Sequence, residues 1–186
     1  MMISNLNRRV VASSLKMTTT HFGVVTNNYR IMSTEYTLNI SEDVMKEDET
    51  VSFKDLLEKS VSTLQGMGPK STELANHLGL DTVQDLAEHK CFHWARSVKN
   101  LSETETEGRR LEGSRMNIDK IVDKAYETKT LKEIVDSPVA SLQGLSDTAG
   151  SLLGGSPLNV TTVGDLVSWK YCRWAEAIVV ASKHEK

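Results

Sequence analysis

From Val51 onward the apolar residues fall in short runs at helical spacing, and the runs occur twice. Setting Ser52 on Thr130, an offset of 78, places Phe53-Lys54-Asp55-Leu56-Leu57 on Leu131-Lys132-Glu133-Ile134-Val135. It also places Val61-Ser62-Thr63-Leu64-Gln65-Gly66-Met67 on Val139-Ala140-Ser141-Leu142-Gln143-Gly144-Leu145. Beyond Gly154-Gly155-Ser156-Pro157 the offset becomes 80, a two-residue loop insertion, and Thr82-Val83-Gln84-Asp85-Leu86 lies on Thr162-Val163-Gly164-Asp165-Leu166. Lys90, Trp94, Ala95 and Val98 then match Lys170, Trp174, Ala175 and Ile178. The sequence reads as a duplicated helical unit.

Each copy predicts the same elements. Ser52 and Thr130 are N-cap candidates with Asp55 and Glu133 three residues on, the second pair making a capping box. Leu64-Gln65-Gly66 and Leu142-Gln143-Gly144 are tight turns whose glycine can take positive φ. Pro69 suits the first turn of a helix running to about Leu78, where Gly79 offers a C-cap. Thr82 or Asp81 caps another helix, and the segment through Trp94 and Val98 is the last. In copy two that last helix is expected to run unbroken from Val163 to Ala181. Ile118, Ile121, Val122 and Ala125 predict a further amphipathic helix over 118–128, joining the copies. The expected fold class is all-α: helical modules over 52–101 and 130–186, linked by 102–129, each module closing over its own glycine hairpin.

Residues 1–34 stand apart, with Arg8, Arg9, Lys16 and Arg30 and no acid. Ile3, Leu6 and Val10 at helical spacing give them the pattern of an organelle transit peptide, which would place the mature chain in a mitochondrion or plastid; without that role the chain would be cytoplasmic. The alternative is a disordered extension ahead of a start at Met17 or Met32. Residues 35–51, with acids from Glu42 to Glu49, read as an acidic linker. No run approaches the roughly 18 apolar residues of a membrane span. Two cysteines make no disulfide framework, so a reducing compartment is expected. A net charge of −3 without a basic block argues against nucleic acid as the main ligand.

At Leu64-Gln65-Gly66-Met67-Gly68-Pro69-Lys70 the chain resembles a helix-hairpin-helix element. Thr82-Val83-Gln84-Asp85-Leu86-Ala87 resembles the stretch that follows such hairpins in tandem bacterial and organellar modules of the helix-hairpin-helix and sterile-alpha-motif-like class. The resemblance covers about 52–101 and 130–181. In members that bind DNA, backbone amides of the hairpin meet a phosphate at a helix N-terminus, which here implies Gly66, Gly68 and Lys70. Copy two departs from this: Gly144-Leu145-Ser146-Asp147 lacks the second glycine and the lysine, and Asp147 would repel phosphate.

Candidate chemistry is sparse. His89 and His93 have the spacing of zinc-binding helices, but Cys91 would point elsewhere and no second ligand pair follows, so a helix start with one buried cysteine is expected. Copy two has no matching histidines, which removes a repeated Cys–His pair. Trp94 and Trp174 are expected to pack in cores, with Lys90 and Lys170 laying their stems over apolar surface. Gln65 and Gln143 are expected to satisfy turn backbone, and Gly154-Gly155-Ser156 lacks the lysine and strand of a phosphate loop. Trp169 faces His89 in the alignment, and with Arg96 and Arg173 it is the expected contact with a protein partner. The sequence thus predicts a non-enzymatic helical adaptor or structural subunit without cofactor or metal, with weak sequence-independent DNA or RNA binding through Gly66–Lys70 as the alternative.

Overall fold

The computed structural model describes residues 40–106 and 113–186. The leader expected over 1–34 lies outside them. The described fold is helical. Its helices are α1 (Phe53–Leu57), α2 (Pro69–Leu78), α3 (Val83–Glu88), α4 (Lys90–Ser102), α5 (Leu131–Val135), α6 (Asp147–Gly154), α7 (Val163–Ser168) and α8 (Lys170–Ser182). Four 3-10 turns, at Lys46–Asp48, Val61–Thr63, Lys124–Tyr126 and Val139–Ser141, complete an order that is the same in both halves.

Local chemistry explains the starts. Thr82, Thr130 and Thr162 each accept a bond from the backbone N–H three residues on, while the acid there accepts from the threonine N–H. Ser52 makes only the first of these bonds with Asp55. Gly66 and Gly144 take φ of 90° and 88°, the left-handed region in which a Cβ is strained.

Three expectations fail for identifiable reasons. The last helix of the second half is not continuous: Trp169 is extended (φ −64°, ψ 115°) and breaks α7 from α8, as His89 breaks α3 from α4. The joining helix over 118–128 is reduced to the 3-10 turn at Lys124–Tyr126, because Val122 forms a bridge with Leu142. In that bridge Asp123 N donates to the Ser141 carbonyl (2.8 Å) and Gln143 N to that of Ile121 (2.8 Å). The same bridge joins Val44 to Leu64, so the acidic stretch from Ile40 to Val51 is folded structure rather than linker. Val44 is core, and the buried Asp48 accepts from Thr63 Oγ1 (2.6 Å) and pairs with Lys59 Nζ (2.8 Å).

The largest correction concerns the modules. They do not close over their own hairpins. α8 packs against α1 and α3 of the first half, and α4 packs against α5 and α7 of the second. The exchange is sealed identically at both ends. Glu185, after α8, accepts from the backbone N–H of Phe53 (3.0 Å) and Lys54 (3.1 Å) at the start of α1. Glu105, after α4, accepts from those of Leu131 (3.0 Å) and Lys132 (3.2 Å) at the start of α5. Carboxylates there satisfy helix-terminal donors and suit the positive end of the helix. α2 and α6 also pack together, and the described residues form one compact unit with one continuous core.

Each half therefore takes several core side chains from the other. α8 brings Tyr171, Cys172, Ala175 and Ile178, all buried, to the first half. At about 1.5–3 kcal/mol for each large apolar side chain, their loss rivals the roughly 5–15 kcal/mol by which a domain is stable. Chains covering 38–106 and 113–186 should each lack a cooperative thermal transition by circular dichroism, and an equimolar mixture should recover one. A sharp melt for either half alone would contradict the exchanged core.

Asp48 also sets an acid limit. Its pKa is held below the ordinary carboxylate value by the hydrogen bond from Lys59 first and that from Thr63 second. A folded-state value below the unfolded one means that its stabilisation is present above the unfolded pKa and is lost as pH falls through the folded one. Asp48→Asn should lower the melting temperature at pH 7, and the gap from the parent protein should close as pH falls below about 4.

Candidate functional site

The sequence-selected residues separate into two places. Arg96 and Arg173 come together on the outer face of α4 and α8, around a groove of about 640 Å³ also lined by Asn100, Val167, Ala177, Val180 and Ala181. Glu176 lies in it, paired with Arg96 and 3.7 Å from His93 Nδ1. Residues 96 and 176 are equivalent in the two halves, so the pair joins α4 to α8 where the reciprocal helices meet. Arg173 is exposed on the same groove, and no ion pair links it to a described acid. The apolar wall comes from the second half. Val180 is 59% exposed, and Ala177 and Val180 stand where the first half has Ser97 and Asn100.

Trp169 does not join them. It is 6% exposed, with its ring 5.8 Å from Phe92 and 5.3 Å from Tyr171, because the break between α7 and α8 turns it inward. The expected exposed contact is core, bridging aromatic side chains from both halves.

The second place is the pair of glycine turns. Gly66 and Gly68 lie ahead of α2, whose first turn includes Lys70; the Lys70 side chain is outside what the structure describes. A lysine from the other half comes to each turn. A Cβ on Gly66 would lie 3.6 Å from Lys170 Nζ and 3.0 Å from Tyr171 Oη, and one on Gly144 would lie 3.1 Å from Lys90 Nζ. Lys170 Nζ also sits 4.9 Å and 4.7 Å from the ring centres of Tyr171 and Trp174, and Lys90 Nζ 5.2 Å from that of Trp94. These are cation–π distances. Trp94 and Trp174 are half-buried and pack against the core, each with a cation on its face. Gln65 and Gln143 are exposed at the turns. Asp43, near Lys170, has its pKa raised by burial and by Glu42, with Lys170 opposing.

The thiols and imidazole are poorly placed for chemistry. Burial pushes Cys91 up to about 11, against the lowering effect of Lys90. Burial first, and Glu176 second, raise Cys172 well above its usual value, so both thiols are protonated at neutral pH. His89 caps α4 and lies 5.3 Å from the Phe92 ring; burial first, then Lys90 and His93, depress its pKa. The break at His89 separates it from the helical register of His93. Among the described residues no group of three or more His, Cys, Asp or Glu could hold a metal ion.

Sequence reasoning missed Glu176, Ala177 and Val180. For Ala177 and Val180 the signal was available in the alignment of the copies, where polar Ser97 and Asn100 give way to apolar residues at outward positions. Comparison with protein-family models, curated proteins and solved structures found no match to this chain.

The two tryptophan and arginine roles can be separated by mutation. Trp169→Ala should cost about 3–5 kcal/mol, as removing a large buried aromatic does, whereas Arg173→Ala should change stability by no more than about 0.5 kcal/mol. Urea unfolding of both variants checks this, and equal effects would contradict the inward placement of Trp169.

Proposed function

We propose that this chain is a non-enzymatic helical adaptor or structural subunit that holds a protein partner on the outer face of α4 and α8. The observation that carries this is the groove itself: exposed Ala177 and Val180 beside Arg173, on helices anchored in both halves of one core. Exposed apolar surface rimmed by charge is the common composition of a protein contact. Buried, protonated thiols fit a structural role for the cysteines. No described helix is long and apolar enough to cross a membrane. A transit-peptide role for 1–34 would add delivery to a mitochondrion or plastid.

A second reading, weak DNA or RNA binding, is favoured by one observation: Lys170 and Lys90 each stand at a glycine turn. The resemblance to helix-hairpin-helix modules belongs with it, through Gly66, Gly68 and Lys70. Asp147 in the first turn of α6 and the net charge of −3 weigh against it.

A photo-crosslinking residue at Ala177, with a control at exposed Thr148 in α6, tests the first reading in native extract. A discrete protein adduct from position 177 alone, suppressed by Val180→Asp, is expected. Identical adducts from both positions, or none, would overturn it. Salt-sensitive binding of duplex DNA, abolished by Lys70→Glu, would favour the second reading instead.

A further inference from the structure

We infer that the groove between α4 and α8 takes an acidic amphipathic helix from a partner protein. This rests on the groove being a protein contact and adds the chemistry of the occupant. The two helices carry Lys90, Arg96, Lys99, Lys170 and Arg173 against Glu176 alone, in a chain whose net charge is −3. Lys90 and Lys170 are held at the glycine turns, and Arg96 is paired with Glu176. That leaves Arg173 on the groove without an ion pair among the described residues. Lys99 follows Arg96, and exposed Lys183 follows Val180, by three residues, so each lies about one helical turn further along the same face. The apolar strip of Ala177, Val180 and Ala181 is thus flanked by cations, while Glu176 is bonded to Arg96 through Oε2 and its Oε1 lies 3.7 Å from His93 Nδ1.

Charge complementarity selects the occupant. An incoming helix with Leu- or Ile-type residues three and four apart would lie on the strip, while Asp or Glu at its edges met Arg173 and Lys183. A second copy of this chain fits less well, because a symmetric contact would set the same cationic rim against itself. Nucleic acid fits less well too, since the groove's wall is alanine and valine.

Selection from a random displayed library of peptides about sixteen residues long, roughly four helical turns, tests this on the full chain. Enriched peptides should be net acidic with apolar residues at three- and four-residue spacing. Their affinity should fall about tenfold or more on Arg173→Glu and on Val180→Asp, while the melting temperature of each variant stays that of the parent. Enrichment of neutral or basic peptides, or affinities indifferent to both substitutions, would overturn the acidic occupant. So would failure to enrich any peptide over the Val180→Asp protein, or groove-dependent self-association or duplex DNA binding. An adduct from position 177 combined with basic or neutral peptides would sink only this inference. Absence of both adduct and peptide would sink the parent reading as well.

Discussion

The fold depends on the crossing of α4 and α8, the longest of the described helices, into opposite halves. Neither α4 nor α8 completes the core nearest to it in sequence; each buries its apolar face where the other half lacks a wall. A unit of about 65 residues has a marginal core by itself, and the exchange joins two marginal cores into one. Glu105 and Glu185 fix the arrangement by closing the N-terminal donors of α5 and α1. The stability of either half is therefore a property of the whole.

That constraint also builds the surface. Reciprocal exchange brings equivalent positions of α4 and α8 together, as residues 96 and 176 show. In a pair of identical chains such a contact would set like charge on like charge. Within one chain the two positions can differ, and here they hold arginine and glutamate. The same freedom lets the second half carry alanine and valine where the first carries serine and asparagine. The outer groove is thus a place where the symmetry of the fold is relaxed, which is where a protein contact can develop without disturbing the core.

The glycine turns show the opposite behaviour. Gly66 and Gly144 keep nearly the same φ, and each receives a lysine from the other half lying on a tryptophan. A feature kept alike in both halves, and made from residues of both, fits a structural role: it ties each hairpin to the helix that closes it. Phosphate binding would have to compete with that role.

Much of this was legible in the order of residues. Caps at Thr82 and Thr130, positive φ at Gly66 and Gly144, the helical class and the repeated order of elements follow from interactions among neighbours a few residues apart, which the sequence states directly. Arg96 and Arg173 were named with Trp169 as contact residues, and both arginines lie on the outer groove. Which half each last helix completes, the burial of Trp169, the folding of 40–51 and the union of Arg96 with Glu176 were decided by tertiary structure. Periodicity identifies an apolar face but not the surface that covers it, and two equivalent cores offer almost the same surface. Only the path of the chain through space chooses between them.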